Sequence, residues 1–432
     1  MVIIKPFKST ILNPDIPNRD RLVCPVYDTI DETEYARYGS ESNNVIHITT
    51  RKDGMESGAF VARSIENLRR FYQEGVLKER DTPGLYIYGI RYNLSDEIRG
   101  QIPDTAKREV YFAFGLVALV KVEALGEGSI AGHERIFEKH TLERYEVMRA
   151  GGMNFAPIVA EYNMPGHDIN NMLEDYLGFK RPDLAIREDR PPLVDILLKG
   201  IRHLLWEVTD PGTVEQIRAK LADEKVLILD GHHRYNAANE LRLRDGVEYT
   251  MMMFMEGGDR ALLLLPWHRC VRQLDMKRLH SQLKQYFDVI WTGALGDEFY
   301  EMLSAKDDAH DVRFGLYDGK DLSVLKARGD KVEQLSGALD EQVGLDFISL
   351  NEWVIEPLVD GGSVDNVGFM DSVTEAVRKV DEQGFDVAFL MRPLDIGDVE
   401  YKAHTEMKNF PQKSTLFLPK VAEGIIMRRF GE

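Results

Sequence analysis

Apolar and polar positions along this chain follow two periods, and the switches between them mark the expected elements. Gly58–Glu74 carries Phe60, Val61, Ile65, Leu68 and Phe71 at helical spacing, which predicts an amphipathic helix. Leu85–Tyr92 alternates as a strand does, and Asn44–Thr50 also reads as a strand. Val110–Val122 (VYFAFGLVALVKV) is apolar almost throughout, the mark of a strand buried on both faces. Gly126-Glu127-Gly128 marks a turn. His133–Ala150 reads as a helix, charged on one side and stopped by Gly151-Gly152.

Further along, Ala156–Tyr162, His203–Val208 and Val226–Leu229 read as strands. Val214–Leu221 is a short helix with Asp210 or Thr213 as its cap, and Arg234–Arg244 is a second helix. The stretch 163–200 is rich in Pro, Asp and Arg and reads as loop around one or two helices. Strands are expected at Val312–Leu316, Val387–Arg392 and Ser414–Leu418. The alternation predicts a mixed α/β (α+β) fold in three parts: 1–125, 126–270 and 271–432.

Composition narrows the class. Of 432 residues, 44% are hydrophobic and 29% charged, enough apolar material for a core of normal size. A net charge of −18 argues against nucleic acid as a partner, because phosphate neutralisation needs concentrated Lys and Arg. Two cysteines, Cys24 and Cys270, make no disulfide framework and fit a reducing cytosol. The N-terminal apolar run is too short for a signal peptide, and no apolar segment reaches the ~20 residues of a membrane span. A cytoplasmic protein without a membrane partner is expected, and a homo-oligomer is compatible with the sequence.

The chemistry gathers in Leu227–Ala238, LILDGHHRYNAA. An apolar strand ends at Asp230, Gly231 allows a tight turn, and a helix begins at about Arg234. A helix start exposes unpaired N–H groups and a partial positive charge, so it favours an anion. Arg234 adds a forked donor suited to phosphate oxygens. His232 and His233 add donors, or metal ligands when neutral. Asp230, at the carboxyl end of the strand, can hold Mg²⁺ or act on a substrate hydroxyl. The plain alternative is that Asp230 caps the helix and the histidines bond backbone. So many polar groups at one core edge are costly unless used, which weighs against it.

A second cluster precedes it, Ala131-Gly132-His133-Glu134-Arg135, followed by Lys139 and Arg144. Glu134 reads equally as a helix-start charge or as a general base for a hydroxyl. Asp28 reads as a substrate contact or a cap, His268-Arg269 as a core-edge pair or a second anion contact, and Lys413-Ser414-Thr415 as a solvated loop or a phosphate contact. Glycines 126, 128 and 132 do not make a dinucleotide-binding fingerprint, and Lys413-Ser414 lacks the glycines of a P-loop.

Gly231, Arg234, Tyr235 and Ala237 match the G-x-x-R-Y-x-A pattern of the ParB/sulfiredoxin superfamily, so the turn resembles that nucleotide-binding motif. The superfamily's free-serine kinases are more similar still, with a D-G-x-H-R-Y turn preceded by an H-E pair, here His133-Glu134. Over most of its length the chain resembles the domain-of-unknown-function family 1015. Val23–Ile30 (VCPVYDTI), His133-Glu134 with Lys139 and Arg144, Leu205–Pro211, Leu265–Arg269 and Phe410–Lys420 carry that likeness. Val26 stands where the second proline of the family's P-P-Y-D segment is usual.

The resemblance implies a ParB/sulfiredoxin-like nucleotide-binding core within a larger chain, with an insertion at about 163–213. It implies nucleotide-dependent phosphoryl transfer, from ATP or ADP with Mg²⁺, to a small hydroxyl-bearing metabolite. Glu134 would be the base, with His133 beside it. Asp230 is required in those kinases and is the expected metal ligand here. Gly231, His232, His233, Arg234 and Tyr235 would bind the nucleotide's phosphates. Two other readings stand beside it: a nucleotide-binding switch without a metabolite acceptor, and a metal hydrolase using His133, Glu134, His232 and His233. The last lacks H-E-x-x-H spacing.

Overall fold

The computed structural model describes residues 1–431 except 103–105, 136–137, 179–188, 308–310, 340–343, 360–365, 407 and 412. It is a mixed α/β fold organised around a nine-stranded sheet. The strands that position the site are β1 (Leu85–Tyr92), β2 (Tyr111–Lys121), β3 (Ile130–Ala131), β4 (Ile158–Tyr162), β5 (Val194–Leu198), β6 (Ile201–Val208), β7 (Val226–Asp230) and β8 (Tyr249–Glu256). Their order is β5-β6-β1-β2-β8-β4-β7-β3, with the short strand Ile4–Lys5 also pairing with β2. Neighbours are antiparallel except β8 with β4 and β7 with β3, which are parallel.

The apolar run at 110–122 is the centre of this sheet. Residues Tyr111–Val120 are buried without a break, because β2 is covered on both faces. Helix α1 (Glu138–Gly151) and helix α3 (His232–Asp245) pack against one another, and α2 (Asp168–Leu177) follows β4. Asp210 is the cap of Pro211–Leu221, its carboxylate accepting the Thr213 amide. The sheet takes strands from both sides of residue 125. A six-stranded sheet built between His268 and Leu390 has its own apolar clusters. The chain then returns to the first core, where Val399, Phe410, Phe417 and Ile426 are buried. That return brings the 410–420 segment to the site.

Three expected elements differ. Asn44–Thr50 is not a strand but contains a buried helical turn, Ile46–Thr49. Asn44 decides this. Its Oδ1 accepts the Ile46 amide, and its Nδ2 donates to the carbonyls of Arg21 and Val23, giving a turn where the apolar residues alone suggested a ladder. The helix expected from His133 is described from Glu138, and His133-Glu134 is extended. The His133 carbonyl accepts the Phe410 amide, and the Phe410 carbonyl accepts the Arg135 amide. The C-terminal segment therefore holds the H-E pair as a short parallel bridge, so Glu134 is not a helix-start charge. The strand expected at 414–418 is Leu416–Leu418, and two short strands, Ala422–Glu423 and Met427–Arg429, follow it.

Candidate functional site

Strand β7 and helix α3 meet at Gly231, which has φ +94°. A Cβ there would stand 2.8 Å from Nε of Arg234, so both backbone and space call for glycine. Gly231 is the N-cap of α3, and no side chain caps the helix. Its first amides thus have no intrahelical acceptor, and they lie where Gly231, His232 and His233 line a small cleft. The helix begins at His232, two residues before the sequence suggests.

The cleft brings the two clusters together. Glu134 lines it together with the turn, and Asp28, Trp267, Lys413, Thr415 and Lys420 complete the wall. It encloses about 50 Å³, room for a few waters. Oε1 of Glu134 accepts the Thr415 hydroxyl at 3.0 Å and the amides of Ser414 and Thr415 at 3.2 and 3.3 Å. Behind it His133 is fully buried, and its Nε2 lies 2.7 Å from Thr415 Oγ1. Thr415 donates to Glu134, so His133 donates to Thr415. The His133 backbone N–H in turn donates to Nε2 of His232, at 3.2 Å. Burial, the dominant cause, holds both imidazoles below the usual histidine range, well below for His232, so they are neutral. His233 is held down to about 4, by burial first and then by His140.

Asp230 is engaged on both oxygens. Arg234 donates to Oδ2 and Lys420 to Oδ1. Burial opposes its ionisation, but Lys420 and Arg234 outweigh that and hold it well below the carboxylate range. Asp28 follows the same logic, with Lys413 at 3.1 Å and the cost of desolvation overcome. Lys413 is correspondingly raised, its own desolvation offset by Asp28 and Glu134.

Several expected residues sit differently from their sequence reading. Arg234 lines the cleft, but both ends of its fork are already engaged. It is buried, with Nη1 on the Pro157 carbonyl and Nη2 on Asp230, so it orients that carboxylate. Tyr235 faces the core, its hydroxyl bonded to the backbone of Glu123, and it does not line the cleft. Its place on α3, one turn from Gly231, puts it on the helix face against the sheet. His133 stands behind Glu134 and does not line the cleft. His268 and Arg269 are buried in the second sheet, where His268 Nδ1 accepts the Met391 amide.

The metal assignment does not fit the groups present. Both oxygens of Asp230 hold cations already, and among the described residues no three His, Cys, Asp or Glu side chains are placed to share a metal ion. The same geometry counts against the metal-hydrolase set, since His133 Nε2 serves Thr415 and His232 Nε2 serves the His133 amide.

Lys420 escaped the sequence reading, and Thr415 lies in the triplet read as a solvated loop or a phosphate contact, not as a partner of Glu134. Their signal lay in the run FPQKSTLFLPK, but its lysines and hydroxyls have no catalytic spacing of their own.

The family model described as "Protein of unknown function (DUF1015)" matches residues 4–343, well over half of the chain. The chain belongs to that family. The DUF1015 match includes Glu134 and Asp230, and the segment bearing Lys413, Thr415 and Lys420 follows it. No curated protein matches the chain. Among solved structures it is similar to a free serine kinase in complex with AMP, at 14% identity over 67% of this chain and 84% of that one, with a TM-score of 0.34. It is similar to C-terminally truncated SbnI from Staphylococcus aureus, at 12% identity over 71% and 85%, with a TM-score of 0.37. A conserved hypothetical protein from Pyrococcus furiosus stands at 12% over 67% and 87%, with a TM-score of 0.33. Among the described residues no helix is long and apolar enough to cross a membrane.

Proposed function

We propose that this DUF1015 protein transfers a phosphoryl group from an adenine nucleotide to the hydroxyl of a small metabolite. The observation that carries this reading is the meeting of Glu134 with the Asp230–Gly231 turn across one cleft whose remaining wall supplies two lysines. The sequence resemblance of the D-G-H-H-R-Y turn and the H-E pair to free-serine kinases points the same way.

The groups suit an in-line displacement. The acceptor's hydroxyl oxygen forms a bond to the terminal phosphorus, and the bond from that phosphorus to the nucleotide's bridging oxygen breaks. Glu134 takes the hydroxyl proton, and the shortened nucleotide leaves with the electron pair. Lys413, Lys420 and the first amides of α3 neutralise the phosphate oxygens. Asp230, fixed by Arg234, positions Lys420. Entry of a phosphate requires both ammonium groups to turn from their carboxylates toward it, which their long side chains permit. That exchange of partners opens a cleft otherwise too small for a phosphate.

The test pairs binding with turnover. ADP and ATP should raise the melting temperature of the wild-type protein, by ~2.7 kcal/mol of stabilisation at 100 times Kd. Glu134→Gln should keep that shift while transfer to a hydroxyl acceptor falls by about 10²–10⁴. No nucleotide-dependent shift, or undiminished transfer in Glu134→Gln, refutes the assignment. Hydrolysis that no acceptor stimulates would favour the nucleotide-switch reading instead.

A further inference from the structure

A second space against the main sheet lies away from this cleft. Strand β4 runs from Ile158 to Tyr162. Asp230 stands opposite Val159 near its start, and Glu256 opposite Tyr162 at its end. The proposed phosphoryl site is thus at the amino end of β4. Beyond the carboxyl ends of the parallel neighbours β4 and β8 lies a second cavity of about 560 Å³. That volume is in the range of small-molecule sites, and carboxyl ends of parallel strands are where such sites form in α/β sheets.

Its wall is built in two halves. Val110, Tyr111, Phe112 and Ala261 make an apolar side. On the polar side Glu256 is 2% exposed, and its Oε1 lies 2.5 Å from Nδ1 of His167. A buried carboxylate on one ring nitrogen fixes the imidazole's tautomer and aims the other nitrogen outward. The His167 side chain is 60% exposed and lines the cavity, so Nε2 faces the open space. His167 also has φ +53°, a left-handed conformation that a non-glycine residue adopts at a cost. Packing does not demand that cost of an exposed side chain, whereas a fixed ring direction does.

The wall carries three acids and three basic side chains. Glu256 is engaged by His167, and Asp259 accepts the Ala261 amide at 2.9 Å. Glu174 is the third acid, set against the basic side chains of Arg108, Arg260 and His167.

We propose that this cavity is a second small-molecule site, taking an organic anion whose charged group meets His167 Nε2 and Arg260 while its apolar body lies on Tyr111 and Phe112. The site is independent of the nucleotide reading and stands whether or not that reading does.

Titration calorimetry on the full chain tests it with phenylacetate and phenyl phosphate as probes and uncharged phenylacetamide as control. Both anions should bind, and phenylacetamide about tenfold more weakly or worse. Arg260→Ala, at an exposed position, and His167→Asn, which tolerates the left-handed backbone, should each weaken the anions about tenfold. Lys420→Met should leave phenylacetate binding unchanged. The proposal is overturned if the anions bind no better than phenylacetamide, if both variants bind like wild type, or if Lys420→Met abolishes phenylacetate binding.

Discussion

Nε2 of His133 and Oγ1 of Thr415 lie 2.7 Å apart across 282 residues of chain, and the same hydroxyl donates to Glu134. The proposed base is thus held by a buried, neutral imidazole acting through a threonine from the far end of the protein. A carboxylate fixed by three donors loses little freedom when a substrate hydroxyl arrives, which is the positional requirement of general base catalysis.

Thr415→Val removes that link at nearly constant volume. The buried His133 Nε2–H then has no acceptor, and stability should fall by about 1–3 kcal/mol in urea denaturation. Transfer should fall as well, by about tenfold, because Glu134 loses one of the three donors that fix it. Transfer at the wild-type rate, with only stability reduced, would show that Thr415 is structural only.

Lys420→Met should act on stability and on ligand together. The folded-state value of Asp230 lies below its unfolded value, so the group contributes stability above about pH 4 that is lost as pH falls further. Removing Lys420 shrinks that contribution, by about 1–3 kcal/mol for a charged hydrogen bond. Acid unfolding should then begin at higher pH. ADP should bind about tenfold more weakly, measured by calorimetry at fixed ionic strength. Equal ADP affinity in the variant removes Lys420 from the phosphate-binding set.

Glu161 supplies a pH signature with the opposite sign. It is 2% exposed, and neither carboxylate oxygen has a hydrogen-bond partner among the described residues. Burial, and then Glu400, raises it to about 8. The folded chain holds a proton there that the unfolded chain releases above about pH 4.3. Stability should therefore decline between about pH 4.5 and 8, by at most ~1.4 kcal/mol per pH unit. Glu161→Gln keeps the shape without the titration. It should flatten that decline and be the more stable protein at pH 8.5 by thermal denaturation, and an unchanged slope would contradict this reading of Glu161.

The sequence by itself determined the elements whose period is long and unbroken. Ser57–Gln73, Leu85–Tyr92, Tyr111–Lys121 and Val226–Asp230 are where the pattern puts them, because burial of one face or both leaves a direct trace in residue order. It also determined the Gly231 turn, whose backbone only glycine accepts readily. Asn44–Thr50 misled because one side chain's hydrogen bonds outweighed a short apolar run. Only the tertiary structure decided which polar groups face the cleft. Arg234 turned inward to Asp230, Tyr235 turned to the core, and Lys413 and Lys420 arrived from a segment distant in sequence. The physical reason is that periodicity records burial face by face, whereas the pairing of charges depends on distances set by how the chain returns to its own sheet.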